Sequence, residues 1–301
     1  MPNDFSVNNN SSASGILANL SFVQNEISTS YSQLSSGNRI NSAADDPAGY
    51  AISQQMTEQV GGLNQSTQNA QNGVSLIQTA TGAMNQTEQI LQTLSTLANE
   101  AANGTQNSND LSNLQDEVNQ LLQQINVTAA DTQFNNINLV GTSAASNITV
   151  GTSYASGSYV SLSASITLQI GANAGQTINF SLTDVSTAAL GISSIDLTKF
   201  LSGSSLQSSV VSSTITEIQN AITSLSSAQA TLGAVQDELN YTVSNLQNSS
   251  QNLQNAEATI TNTNMAQAYT QFSQQQVVEQ VGLAMLGQAQ QQPAAILKLL
   301  S

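Results

Sequence analysis

The chain contains no cysteine, no histidine and no tryptophan. Disulfides are therefore excluded, and with them thiolate and imidazole metal sites. No Ser-His-Asp or Cys-His pair can form. Cations are almost missing as well: Arg39, Lys199 and Lys298 face 18 carboxylates, for a formal net charge of -15. A surface so poor in basic groups cannot neutralise a phosphate backbone, which excludes nucleic acid as a partner. An anionic membrane surface is disfavoured for the same reason. Acid-base catalysis would have to rest on carboxylates and tyrosines, and nothing in the pattern brings them together. Asp116-Glu117 and Asp237-Glu238 are neighbours on predicted helices and point about 100° apart. Asp45-Asp46, with no histidine near it, reads as a solvated or capping pair. We expect no enzyme activity, no metal and no cofactor.

Charged residues make up 7% of the chain, against about 25% in an ordinary globular domain. Asparagine and glutamine number 70, so the polar faces rest on amides that do not titrate. Protonating carboxylates should then break few ion pairs, which predicts tolerance of acid and fits a source that lives in acid. The start, MPNDFSVNNNSS, has neither a basic cluster nor an apolar run, so no cleaved secretory signal is expected. No stretch reaches the roughly 18 apolar residues of a membrane helix. The expectation is a cytoplasmic protein, or one exported by a route that reads no such signal.

What the chain does have is periodicity. Ile218, Leu225, Leu232, Leu239, Leu246, Leu253 and Ile260 fall seven residues apart, as do Leu63, Ala70, Ile77, Met84, Leu91 and Ala98. A strict heptad keeps one apolar seam on one side of a helix. The first series predicts a rod about 64 Å long, which needs other rods beside it. Helices are expected over 16–36, 50–102, 108–128, about 206–262 and 264–300, the last interrupted at Pro293. Gly104 reads as a helix stop, with Asn109 or Asp110 capping the next helix. Between about 134 and 205 the chain turns Ser/Thr/Gly-rich and its period becomes two. Val160, Leu162, Ala164, Ile166, Leu168 and Ile170, then Ile178, Phe180 and Leu182 after a Gly-rich loop, predict a half-buried β-hairpin.

The predicted fold class is mainly α: long antiparallel coiled-coil helices from both chain ends, with a small β-hairpin region in the chain middle, completed by association among many copies. The expected domains are 1–36 with 264–301, a terminal helical core. Residues 37–141 with 206–263 form a helical bundle whose connector lies near 37–49. Residues 142–205 are the β-rich region of the chain middle. Leu17, Leu20, Ile27 and Leu34 on the first helix, and Val278, Val281, Met285, Leu286, Ile296 and Leu297 on the last, are the expected polymerisation seams. Leu63, Ile77, Met84 and Leu91 with the seven residues from Ile218 to Ile260 are the expected bundle seam. Short amphipathic ends cannot bury their apolar faces alone, so association among copies should stabilise them.

Six ordered motifs then carry a resemblance. They are Leu34-Ser35-Ser36-Gly37-Asn38-Arg39-Ile40-Asn41-Ser42-Ala43-Ala44-Asp45-Asp46-Pro47-Ala48-Gly49, Ala101-Ala102-Asn103-Gly104-Thr105, Thr132-Gln133-Phe134-Asn135-Asn136, the hairpin run from Leu168 to Ile178, Thr231 to Gln236, and Leu283 to Ala289. The chain resembles bacterial flagellin over almost its whole length, thinning between about 142 and 160 and between 185 and 210. The resemblance implies a homopolymer that forms the extracellular swimming filament, a helical assembly in which 1–36 and 264–301 make the inner tube and 142–205 is a short variable region facing outward. It implies secretion through the flagellar export apparatus without a cleaved signal peptide, with an export chaperone on the helix around 264–300. A filament cap and hook-associated junction proteins are further implied partners, with no nucleic acid and no membrane. A hook-filament junction or adhesin-like flagellar protein is the alternative. It is disfavoured because junction proteins lack this hairpin signature and only 4% of residues are aromatic.

Departures from the family pattern carry expectations of their own. Asn136 stands where the family has a turn glycine, and Asn tolerates the left-handed backbone such a turn needs. The positions that resemble an innate-receptor epitope are Thr93, where the recognised pattern has Arg, with Leu97 and Glu117 retained. Loss of that cation predicts weak receptor activation. Eleven Asn-x-Ser/Thr triplets, Asn147 and Asn179 among them, are close to the number chance gives; O-linked sugars would fall on 142–165.

Overall fold

The computed structural model describes residues 10–141, 165–202 and 205–300, with 202, 205–206 and 292–300 described by backbone alone. Five helices carry most of the chain: α1 Ser11–Ser36, α2 Pro47–Ala101, α3 Ser108–Asp131, α4 Ser208–Thr261 and α5 Met265–Leu300. Three antiparallel strand pairs accompany them: β1 Gln133–Phe134 with β2 Ile137–Asn138, β3 Ser165–Gln169 with β4 Thr177–Ser181, and β5 Leu201–Ser202 with β6 Ser205–Leu206. The chain divides into two units, one of residues up to 59 and from 251, the other of residues 60–250. Helices α2 and α4 supply residues to both.

In the larger unit α2 and α4 run antiparallel. Ser250 Oγ donates to Asn64 Oδ1 at 3.0 Å, and Gln229 Nε2 donates to Asn85 Oδ1 at 3.1 Å. Ala70, Ile77, Met84, Leu91 and Ala98 are buried on α2, and Ile218, Leu225, Leu232, Leu239 and Leu246 on α4; Leu63 is half-buried. A heptad fits here because a seam that returns every seven residues stays on the partner along the shared length. The next helix, α3, adds Leu111, Val118, Leu122 and Ile125 to the same core. Its cap is Asn107, not Asn109 or Asp110. Asn107 Oδ1 accepts from the amides of both, while Asp110 Oδ2 accepts from the Asn107 amide at 3.2 Å. That is a reciprocal capping box, with the aspartate as its third helical residue.

The turn after α3 has Asn135 at φ 49° and Asn136 at φ 66°. Two consecutive left-handed residues make the primed turn that a two-residue hairpin loop requires. The pairing it sets, Phe134 with Ile137 and Gln133 with Asn138, places the Asn138 side chain against the end of α3. Its Nδ2 donates to the carbonyls of Ala129 and Ala130, and its Oδ1 accepts from the amides of Val140 and Gly141, all within 3.1 Å. This one buried amide satisfies four backbone groups. Asn138→Ala is expected to cost about 3 kcal/mol, because those groups lose their partner away from water. Asn138→Asp should rescue little, since a carboxylate cannot donate to the two carbonyls. Chemical denaturation of both variants checks this.

Strands β3 and β4 pair Ile166 with Phe180 and Leu168 with Ile178, and Ile166, Leu168, Phe180 and Leu182 are buried. Val160, Leu162 and Ala164 lie outside the described residues. The hairpin lies directly on α2. A Cβ on Gly62 would sit 2.8 Å from Ala172 Cβ, and one on Gly73 would run into the Leu168 side chain. Asn69 Nδ2 donates to the Gln169 carbonyl at 3.1 Å. Within the loop, Gln169 Nε2 donates to the Gly171 and Asn173 carbonyls, and Gly175 takes φ 84°. The following stretch forms little regular structure, apart from a 3-10 turn at Leu197–Phe200, yet it fills core. Val185, Ile192, Ile195, Leu197 and Phe200 are buried. Two amides on α3 hold it: Asn126 Oδ1 accepts from Thr187 N–H and Oγ1, and Gln115 bonds the Leu197 amide and the Ile195 carbonyl.

Candidate functional site

The smaller unit holds both ends of the chain. After α1, Gly37 closes the helix at φ 74°, with its amide on the Gln33 carbonyl. A glycine suits this left-handed C-cap because it has no Cβ to clash. Asn38 then forms an antiparallel bridge with Asn262. The Arg39 guanidinium donates to the Ile260 carbonyl at 2.9 Å, which sets one of the three cations of the chain on the C-terminal end of α4, where the helix dipole favours it. Ile40 is buried. Asp46 Oδ1 caps α2 through the amides of Ala48 and Gly49, with Pro47 at the first helical position, where no N–H is needed. Gly49 keeps this cap in place, because a Cβ there would push against the Asp46 carboxylate and lie 2.7 Å from Ile40 Cδ1, so that one of the two side chains would have to move.

Asp45 closes the connector loop, its Oδ2 accepting from the Asn41 amide, the Ser42 amide and Ser42 Oγ. The hydrogen bond from the Asn41 amide, then that from Ser42, holds the carboxyl below its ordinary value of 3.8. A depressed carboxylate favours the folded loop above its unfolded pKa, and that contribution fades only as pH falls through the folded value. The amide chemical shifts of Asn41 and Ser42 should therefore titrate together with a midpoint below 3.8. In Asp45→Asn that titration should vanish. Among the described residues the one ion pair is Lys199 with Asp196, at 3.3 Å on the larger unit.

Helices α1 and α5 pack antiparallel. Asn10 meets Ala289, Leu20 meets Gly282 and Ser30 meets Gln275. The inward seam of α5 is a heptad of small or amide residues, Ala268, Gln275, Gly282 and Ala289. Leu20, Ser30, Ala268 and Ala289 are buried. Polar contacts cross the pair: Ser30 Oγ donates to Gln275 Oε1 at 2.8 Å, and Gln275 Nε2 donates to Glu26 Oε2 at 3.1 Å. Contrary to expectation, Pro293 does not interrupt the last helix, since α5 runs unbroken to Leu300. Proline lacks the N–H that would bond the carbonyl four residues back, which here is Ala289. Asn10 Nδ2 donates to that carbonyl at 2.8 Å, while its Oδ1 caps α1 at the Ala13 amide. One asparagine thus satisfies the group freed by the proline and starts α1 at Ser11 rather than at 16.

The large apolar side chains on these two helices mostly face away from the pair. Leu17, Phe22 and Tyr31 on α1, and Met265, Tyr269, Val277, Val278, Val281, Leu283 and Met285 on α5, are 49–65% exposed. Leu20 is buried, and Ile27, Leu34 and Leu286 are half-buried; the side chains of Ile296 and Leu297 lie outside the described residues. On α4, Leu253 and Ile260 belong to the smaller unit and are half-buried. Thr93 and Glu117 are exposed on the larger unit, whereas Leu97 is buried at 8%. Residues 142–164, with Asn147 and the expected sugar positions other than the exposed Ser165, lie outside the described residues. Among the described residues no group of three His, Cys, Asp or Glu could hold a metal, and no helix is long and apolar enough to cross a membrane.

Comparison with known proteins agrees with this layout. Residues 7–145 match the family described as bacterial flagellin N-terminal helical region, and residues 215–300 the bacterial flagellin C-terminal helical region. Over 129 residues the chain is 49% identical to a flagellin of Clostridium tyrobutyricum, covering 43% of this chain and 34% of that protein. Over 192 residues it is 35% identical to a flagellin of Serratia marcescens, covering 64% and 49%. A crystal structure of Bacillus cereus flagellin aligns with TM-score 0.47 at 24% identity, over 60% of this chain and 88% of that one. The matched stretches thus span a third to a half of the length of these sequence relatives. With both terminal regions matched in order across most of its length, the chain belongs to the bacterial flagellin family.

Proposed function

We propose that this chain is a structural subunit, not an enzyme, that polymerises through its paired terminal helices into the extracellular flagellar filament used for swimming. The observation that carries this is the distribution of apolar surface. Of 13 large apolar side chains exposed among the described residues, ten lie on α1 and α5. A concentration of exposed apolar side chains on one helix pair marks an interaction site, and two helices with four buried residues among those described bury too little to be complete. Identical neighbours are the partners that a repeating helical assembly supplies to every copy. Export without a cleaved signal would require these faces to be shielded beforehand, which is the role assigned to a chaperone on α5; the export apparatus, filament cap and junction proteins belong to the same reading. Domain limits at 36/37 and 263/264 mark what would be the inner tube. With Thr93 in place of an arginine and Leu97 buried, weak innate-receptor activation is expected.

The test is negative-stain electron microscopy of the purified full chain, seeded with its own sheared assemblies, beside a chain lacking 1–36 and 264–301. Long tubes are expected from the full chain alone. Tubes from the trimmed chain, or a full chain that stays monomeric under all seeding conditions, would refute the reading.

A further inference from the structure

We propose that Asn103-Gly104, in the link between α2 and α3, is a self-modifying site at which the asparagine amide converts to a carboxylate without an enzyme. The chain holds two Asn-Gly pairs, Asn72-Gly73 and Asn103-Gly104, and the structure treats them oppositely. The reaction needs three things: a following residue without a Cβ, a backbone N–H free to lose its proton, and room for the side-chain carbonyl carbon to approach that nitrogen.

Asn103-Gly104 meets all three. Helix α2 has ended at Ala101, and α3 begins only at Ser108. Both residues are exposed. The Asn103 side chain and the Gly104 N–H have no hydrogen-bond partner among the described residues, although the Asn103 backbone is held by Glu100 and Gln106. Asn72-Gly73 meets only the first. It lies inside α2, where the Gly73 N–H belongs to the helical ladder. Gly73 itself is buried, pressed between Leu168 and Leu239 so closely that it has no space for a Cβ.

The chemistry balances with water as the sole co-reactant. The deprotonated Gly104 nitrogen attacks Asn103 Cγ, forming a C–N bond. The Cγ–Nδ2 bond breaks and ammonia leaves, giving a five-membered succinimide. Water then adds to either ring carbonyl and opens it to aspartate or to isoaspartate. The product places a new negative charge just beyond the C-terminus of α2, the end at which the helix dipole disfavours it. The isoaspartate form also inserts a methylene into the main chain of the link. A secreted chain with no cysteine would thus carry a chemical record of its age at one defined position.

The test is to hold the full-length protein in neutral buffer for weeks and then cleave after glutamate. Cleavage after Glu100 and Glu117 isolates Asn103 from Asn72, which falls between Glu58 and Glu88. Mass spectrometry with fragmentation, and enzymatic isoaspartate methylation, locate the product. Asn103 is expected to convert on the order of ten-fold faster than Asn72 or more, because reaction at Asn72 must wait for α2 to open locally. Gly104→Ala should slow conversion at 103 several-fold while leaving the helical circular dichroism unchanged. Asn103 persisting as an amide while other asparagines convert, or equal rates at 103 and 72, would overturn the proposal.

Discussion

Leu239→Ala is expected to destabilise the larger unit by about 3 kcal/mol, the cost of a buried leucine truncated where its surroundings cannot collapse. Leu239 is fully buried at the middle of the α4 seam, between Leu232 and Leu246. Opposite it stands Gly73, where a Cβ would lie 3.3 Å from Leu239 Cδ1 and would strike Leu168. Helix α4, helix α2 and the β3–β4 hairpin therefore meet at this point, and none can move inward without dragging the others. A loss of this size is a large fraction of the stability of an ordinary domain. Urea unfolding should show a lower midpoint with an unchanged slope. Leu253→Ala, at a half-buried position of the same heptad, should cost clearly less. Equal costs at 239 and 253 would mean that the heptad alone, and not the three-way contact, sets the energetics. Gly73→Ala probes the same contact from the other side, since the added methyl must displace the buried Leu168 side chain.

The heptads were legible because a seam buried over many turns leaves its period in the sequence whatever the partner is. From Ala70 to Ala98 and from Ile218 to Leu246 each seventh residue is buried. The hairpin was legible for the same reason at period two, in Ile166, Leu168 and Phe180. What escaped has no period. Val185, Ile192, Ile195, Leu197 and Phe200 reach the core from an irregular stretch whose path is fixed by Asn126 and Gln115, far away in sequence. A cluster of bulky apolar residues in a Ser/Thr-rich context was the available signal. Asn138 gave none, because a buried asparagine looks like any other in a chain of amides. The continuity of α5 through Pro293 depended on a donor at residue 10, which no local rule can supply.

The terminal pair was half legible. Large residues such as Val278, Val281 and Met285 marked an apolar surface, and they remain exposed. The contact between α1 and α5 uses instead the small residues Ala268, Gly282 and Ala289, with Gln275 among them, and hydropathy undervalues these. Close approach of two helices selects small side chains, whereas a surface left for later burial selects large ones. The two sets lie on the same helix, so amphipathicity alone could not separate the seam between α1 and α5 from the exposed surface proposed to meet neighbouring copies.

That separation gives the sharpest test of assembly. In Val278→Asp/Val281→Asp the isolated protein should keep its helical circular dichroism and its melting curve, because both side chains are more than half exposed and stand off the α1 contact. Assembly should nevertheless fail: no tubes by electron microscopy and a monomer by sedimentation, under conditions where the unaltered chain polymerises. The size of the effect follows from composition. A carboxylate buried between subunits is tolerable only if a cation meets it, and the chain offers three in 301 residues. Arg39 is committed to the end of α4 and Lys199 already pairs with Asp196. Val278→Ala/Val281→Ala, which removes apolar area without adding charge, should weaken assembly and raise the critical concentration without abolishing it. If the two aspartates left the critical concentration unchanged, this face of α5 would not be a contact between subunits, and the apolar surface of α1 and α5 would need another occupant.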